Sequence, residues 1–335
     1  MTSLIGDAPV DGVDVAALLG IPISAEQERA VQAPLKPCAV IAGAGTGKTT
    51  VMAARVVWLV ASRLVSPEEI LGLTFTNKAT AELSERIESN LTRVGLLTSE
   101  QPRPTVATYD SFAGTLVNDY GAWDGISTGA HLITGARAYQ LAAEVVMGLD
   151  KAPLAATHMG PTFIAQAVVK LAGAMASHDA SPGKVRRADA RWRQMLLAAP
   201  TKRGGDRYAD IDKWLSRVDE REELLDLVAA YQNLKKERGL VEFGDRMVQA
   251  LHLVTHHPRV GEELRARYRV VLLDEYQDTS SAQADVLAAL FSGPDSAHGM
   301  GHPVMAVVDP LQAIYEWRGA AASNILEFHR RFPNK

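Results

Sequence analysis

Hydrophobic positions along the chain gather into five short runs, at 39–42, 70–75, 106–108, 270–273 and 304–308. Continuous β-branched and aliphatic runs of this length predict strands buried on both faces of a parallel sheet. Apolar residues at helical spacing follow most of them, over 48–62, 79–92, 112–118 and 282–291. Ser280 and Ser281 stand where the last of these helices needs an N-cap. Alternating strands and helices predict an α/β fold with a parallel, doubly wound sheet. Between about 113 and 230 the alternation gives way to Ala-rich helical spacing, punctuated by Pro153, Pro161, Pro182 and Pro200. This pattern predicts a helical domain, 113–230, inserted into a discontinuous α/β domain made of 1–112 and 231–335. No internal repeat or low-complexity tract appears.

The chemistry gathers where the runs end. Residues 42–49 read Ala-Gly-Ala-Gly-Thr-Gly-Lys-Thr, between the first run and the first long helix. Glycines let successive backbone N–H groups converge on phosphate oxygens, and the following helix points its positive end at the same anion. Lys48 reaches the β and γ phosphates and the Thr49 hydroxyl can ligate Mg²⁺. Ala42, Gly43, Ala44, Gly45, Thr46, Gly47, Lys48, Thr49 and Thr50 are therefore candidate nucleotide-binding residues. Ala42 stands where the strict pattern has its first glycine, which leaves the close approach to Gly45 and Gly47.

The run 270–273 ends in Asp274-Glu275-Tyr276-Gln277-Asp278-Thr279. Adjacent carboxylates at a strand's C-terminal edge lie where open α/β sheets bind their ligands. Asp274 is positioned for Mg²⁺, and Glu275 to orient and deprotonate a water attacking a phosphoryl group.

Composition narrows the class. At 335 residues, 47% hydrophobic and 22% charged, the chain has the make-up of a globular protein large enough for two cores. Its single cysteine, Cys38, excludes a disulfide framework, suits a reducing cytoplasm and reads as small buried filler. Residues 1–24 lack the basic start of a signal peptide, and no run of 18 apolar residues predicts a membrane span. A net charge of −4 argues against a protein that coats DNA, but not against one that grips a short single strand locally. Basic residues crowd 184–207, including Arg186, Arg187, Arg191, Arg193, Arg203 and Arg207. They form either a phosphate-contacting patch or a solvated face. The pairs His256-His257 and His298/His302 read as loop residues, the second with loose metal spacing but no third ligand nearby.

Six motifs now stand in one order. They are Gln27 within Ser24-Ala25-Glu26-Gln27, the loop 42–49, Leu73-Thr74-Phe75-Thr76-Asn77-Lys78-Ala79, Thr108-Tyr109-Asp110-Ser111-Phe112, the Asp274-Glu275 motif, and Asp309-Pro310-Leu311-Gln312-Ala313-Ile314-Tyr315-Glu316-Trp317-Arg318-Gly319-Ala320. In content and order they resemble the first, ATP-binding motor half of a UvrD/Rep-type superfamily 1A DNA helicase. The stretch 52–83 is similar to the actinobacterial, RecB-related helicase–nuclease branch.

The resemblance implies a RecA-like P-loop NTPase sheet carrying an inserted, DNA-contacting helical domain. It implies ATP and Mg²⁺ as cofactors and 3′→5′ movement along single-stranded or tailed duplex DNA in repair or recombination. Gln27 would select adenine, and Gln312 would sense the γ-phosphate and relay its loss. Thr74, Phe75, Asn77, Tyr109, Ser111, Tyr315, Trp317 and Arg318 would contact DNA, with aromatic stacking contributing about 1–3 kcal/mol per base. Some positions depart from the family pattern. Thr50 replaces an arginine that packs on the base, Asp110 stands where histidine is common, and Glu242-Phe243-Gly244-Asp245 has Glu first in an Asp-Phe motif. A second motor domain is expected beyond Lys335, so the chain reads as a fragment inactive for unwinding by itself. A helicase–nuclease subunit is a further expected partner. Two other readings stay open: a nucleotide-dependent DNA-binding regulatory module without catalysis, and a P-loop kinase or other small-molecule NTPase. Glu275 argues against the first, and the Tyr315–Trp317 cluster against the second.

Overall fold

The computed structural model describes residues 12–127, 129–149, 158–202, 205–312 and 323–334. The chain forms two compact units, one running to Asp124 and resuming at Gln249, the other Gly125–Val248.

The first unit begins with α1 (Val15–Leu19), α2 (Ala25–Val31), β1 (Cys38–Ile41) and α3 (Lys48–Ala61). It continues through β2 (Ile70–Thr74), α4 (Asn77–Arg93), β3 (Thr105–Thr108) and α5 (Tyr109–Tyr120). The second unit holds β4 (His131–Leu132), α6 (Gly135–Met147), α7 (Pro161–Ser177), α8 (Pro182–Leu197), α9 (Ala209–Glu237) and β5 (Leu240–Val241). Helix α10 (Phe243–His256) leads back to the first unit, which ends with α11 (Pro258–Arg267), β6 (Val270–Leu273), α12 (Ser281–Phe291), β7 (Val304–Val308) and α13 (Ser323–Arg331).

The sheet is five-stranded and parallel, in the order β1-β7-β6-β2-β3. Its central strands β2, β6 and β7 are buried at every position, as their unbroken apolar runs require. β1 is different. It lies at an edge, its burial alternates along the strand, and Ile41 is 71% exposed. The expectation of burial on both faces fails here because only one side of the strand has a neighbour. Cys38 on this strand is half-buried, and that burial pushes its thiol above the ordinary range. Parallel strands need crossovers, and the helices that supply them cover the sheet. The face covered by α3 packs Met52, Ala53, Val56 and Leu59 with Ile70, Leu272, Met305 and Val307.

In the second unit α6, α7 and α9 bury Leu141, Ile164, Val168, Leu225 and Val228 around small contacts at Ala138, Ala142 and Ala165. Lys235 of α9 is almost fully buried, with its ammonium 2.7 Å from Glu242 and 2.6 Å from Asp245. The two carboxylates of the Glu-Phe-Gly-Asp motif therefore fasten the start of α10 to α9. Tyr231 donates to Glu242 in the same cluster. The basic stretch 184–207 is largely matched within its own unit. Arg186 pairs with Glu222 and Asp226, Arg193 with Asp219, Arg221 of α9 with Asp189, Lys184 with Asp179 and Arg207 with Asp212. Arg187 and Arg191 are exposed and have no carboxylate partner among the described residues; Arg203 lies outside them.

The unit boundaries fall later than 113 and 230. Phe112, Ala113, Leu116 and Val117 of α5 are buried in the sheet unit, and α9 runs unbroken past residue 230 with its apolar positions in the helical core.

Candidate nucleotide site at the strand ends

From the end of β1 the chain turns through 42–47 into α3. Ala42 N–H still donates to Val308 O (2.9 Å), so the β1–β7 ladder runs to the threshold of the loop. Gly45 (φ +73°) and Gly47 (φ +82°) take left-handed backbone, open at little cost only to glycine. Gly47 has a second reason: a Cβ there would sit 3.1 Å from the Gln27 side-chain nitrogen. Thr46 Oγ1 donates to Gly43 O (2.8 Å) and closes the loop on itself. α3 begins with no side-chain cap, so the first-turn amides of a 14-residue helix are left to an external acceptor.

Lys48 projects from the first position of α3 toward the ends of two other strands. Its Nζ lies 3.1 Å from Glu275 Oε2, beyond β6, and 3.7 Å from Asp309 Oδ2, beyond β7. Asp309 is 2% exposed, and its N–H donates to Gln277 Oε1 (3.0 Å). Asp274 continues the β2–β6 ladder by donating its N–H to Leu73 O (2.8 Å), while its carboxylate accepts the Glu275 N–H (3.1 Å). Burial first, and then the neighbouring charge of Glu275, push the Asp274 carboxyl up to about 6. A cation bound there would reverse that penalty. Thr49 and Asp274 supply the hard oxygens such a cation takes, and the glycines, uncapped amides and Lys48 fit a polyphosphate. Glu275 itself has left-handed backbone (φ +47°).

Gln27 sits in α2. It is the N3 member of a capping box, its Oε1 accepting from Ser24 N–H, while its Nε2 donates to Thr46 O (2.8 Å). The carboxamide is thus held at the phosphate loop. Thr50 receives a hydrogen bond from Arg86 Nη1 (2.9 Å). A guanidinium from α4 therefore reaches the place where the sequence pattern lacked its arginine. Gln312 follows β7 in a short 3₁₀ turn, with its N–H on Asp309 O (3.0 Å).

Two expected DNA contacts are corrected. Thr74 is fully buried and shares a hydrogen bond with the Thr80 hydroxyl (2.5 Å). Tyr109 is 3% exposed and donates its hydroxyl to Asp274 O (2.9 Å), so it buttresses the carboxylate turn from below. Neither offers a surface to a nucleic acid, because the end of β2 and the start of α5 point these side chains inward. Phe75 is half-buried, whereas Asn77 and Ser111 are exposed. Asp110 accepts from Gln283 Nε2 (3.0 Å). Tyr315, Trp317 and Arg318 lie outside the described residues. Sequence reasoning missed Gln277 and Arg86, and only the order of the strands and helices reveals them.

Residues 23–333 match the family described as UvrD/REP helicase N-terminal domain. Among curated proteins, the chain is 27% identical to a DNA helicase II of Rickettsia typhi, over 92% of this chain and 40% of that protein. It is 28% identical to the ATP-dependent DNA helicase UvrD1 of Mycobacterium tuberculosis, over 98% and 38%, and 27% identical to DNA helicase II of Escherichia coli, over 96% and 38%. The chain thus spans about two fifths of the length of the curated relatives it matches. A match over nearly the whole chain, on a parallel sheet whose phosphate loop faces paired strand-end carboxylates, leaves one assignment: the chain belongs to the UvrD/REP helicase N-terminal domain family.

Proposed function

We propose that this chain is the ATP-binding motor half of an ATP-dependent DNA helicase, coupling hydrolysis to 3′→5′ movement on single-stranded DNA in repair or recombination. The observation that carries the reading is Lys48, set 3.1 Å from Glu275 and 3.7 Å from Asp309 at the head of α3. A binding module needs the lysine but has no use for a carboxylate held beside it. In this reading the amides of 43–47 and Lys48 take the phosphates, and Gln27 the adenine edge. Thr49 and Asp274 would hold Mg²⁺, which would supply charge neutralisation at the phosphoryl oxygens. Glu275 accepts the proton of the attacking water as its oxygen bonds to the γ-phosphorus and the bond from that phosphorus to the bridging oxygen breaks, releasing ADP. Gln312 senses the γ-phosphate and relays its loss, and Phe75, Asn77, Ser111, Tyr315, Trp317 and Arg318 contact DNA. A second motor domain supplies the arginines that complete charge stabilisation, a contribution of about 10³–10⁵ in rate. The protein works in the cytoplasm, with a helicase–nuclease assembly as one partner.

Titration calorimetry with Mg²⁺–ATP tests the site. Lys48→Ala is expected to abolish binding, because it removes the fixed positive charge over the phosphates. Glu275→Gln is expected to retain binding and lose turnover. Equal affinity of wild type and Lys48→Ala refutes the assignment.

A further inference from the structure

Gln277 has no exposed surface, yet its carboxamide joins the ends of two strands. Its Nε2 donates to Glu275 Oε2 (2.5 Å) and reaches Asp278 Oδ2 (3.4 Å), while its Oε1 accepts the Asp309 N–H (3.0 Å). The polarity is specific. A carboxylate only accepts, a backbone N–H only donates, and a primary amide serves both at once from its two terminal atoms. Lys48 Nζ and Gln277 Nε2 both fall on Oε2 of Glu275. Oε1 of the same carboxylate has no donor among the described residues, so one oxygen is fixed and the other is left for proton transfer. The turn that carries this group is braced from outside: Asn324 of α13, itself buried, donates to Thr279 O (2.9 Å) and Thr279 Oγ1 (3.1 Å).

We propose that Gln277 is the positioning residue of the general base: it fixes Oε2 of Glu275 and ties that carboxylate to the backbone at Asp309, where β7 ends. A change at Glu275 on loss of the γ-phosphate thereby reaches the start of the segment containing Gln312 through one side chain. The inference rests on the ATP reading above.

The test is single-turnover hydrolysis of radiolabelled ATP with the chain in excess, beside ATP affinity and a melting curve. Gln277→Met removes both hydrogen bonds at similar size; Gln277→Glu keeps an acceptor for Asp309 N–H but opposes Glu275 with a like charge. Both are expected to slow hydrolysis by about tenfold or more, while ATP affinity stays within about threefold. In a Glu275→Gln background, Gln277→Met is expected to slow hydrolysis no further, since a positioned group and its positioner fail together. A merely structural glutamine would instead subtract again in that background, and that outcome overturns the inference. So does a folded Gln277→Glu that hydrolyses within about twofold of wild type, which decides the matter if Gln277→Met does not fold. A wild type that binds ATP but hydrolyses it no faster than Glu275→Gln overturns this inference together with the role of Glu275, and leaves the ATP site standing. A wild type that does not bind ATP overturns the ATP reading as well.

Discussion

Single residues in this chain answer to very local physics, and His302 illustrates the point away from the nucleotide site. Its spacing from His298 suggested only a loop. In the structure its ring lies flat against Phe291, with 5.4 Å between centroids, and its Nε2 is 2.9 Å from Tyr268 O. Burial, helped by the nearby charge of Arg265 and opposed by the Tyr268 hydrogen bond, lowers its pKa from 6.5 to about 4. The folded protein therefore keeps the ring neutral at a pH where the unfolded chain has already taken a proton. That contribution to stability is complete above pH 6.5 and is lost as pH falls through that value toward 4. Gln at this position keeps a donor for Tyr268 O and cannot titrate. His302→Gln is expected to lose less melting temperature than wild type between about pH 7 and about pH 4.5. Parallel curves for the two proteins would show that His302 does not set the slope.

At the scale of elements, the sequence was most legible where a strand is buried on both sides. β2, β6 and β7 lie within their apolar runs because burial on both faces favours apolar side chains at successive positions. β1 was legible as a strand and not as an edge, since strand order lies outside what a single run encodes. α2 escaped the pattern altogether: its seven residues include a single buried one, Val31, and its fixing point lies elsewhere. That point is Arg55 of α3, 1% exposed, whose guanidinium donates to Val31 O (2.9 Å) and Ala33 O (2.8 Å) at the helix's C-terminal end. Arg55 thus sets α2, and with it Gln27, against the phosphate loop. Arg55→Met leaves buried carbonyls without donors and is expected to cost about 1–3 kcal/mol in denaturant unfolding. Its ATP affinity should fall as well, because Gln27 loses its place on Thr46 O. Unchanged ATP affinity in a destabilised Arg55→Met protein would show that α2 stands without this anchor.

For the molecule as a whole, the pattern of runs announced an interrupted α/β sheet and a helical insertion, and the family match agrees with that fold. What it did not announce is where the insertion begins. Helical periodicity continues through α5 and α9 alike, and only packing decides which core each joins. The sheet unit closes over the interruption by itself. Asp124, its last residue before the insertion, accepts from His252 (2.5 Å) and His257 (3.2 Å), which follow the return at Gln249. The two ends of the excursion therefore lie close within one unit, and a linker of a few residues can span them. Replacing 126–247 by a short Gly-Ser linker is expected to leave a folded protein that still binds ATP. Circular dichroism with nucleotide titration checks this; an aggregated or unfolded product would mean that the sheet unit depends on its insertion.

Glu275 is one of three non-glycine residues with positive φ among the described residues. Left-handed backbone costs an ordinary L-residue about 1–2 kcal/mol, a cost glycine escapes. The usual hierarchy of inactivating substitutions is thereby inverted at this position. Elsewhere in a loop, truncation to alanine is gentler than truncation to glycine, which loosens the unfolded chain. Here both Glu275→Ala and Glu275→Gly discard the same carboxylate and the same contacts with Lys48 and Gln277, but only alanine retains the strained conformation. The glycine variant should be the more heat-stable of the two, by about 1 kcal/mol. Calorimetric melting of the pair, without nucleotide, is a direct reading of how much conformational tension the turn stores at Glu275, and equal melting temperatures would show that it stores none.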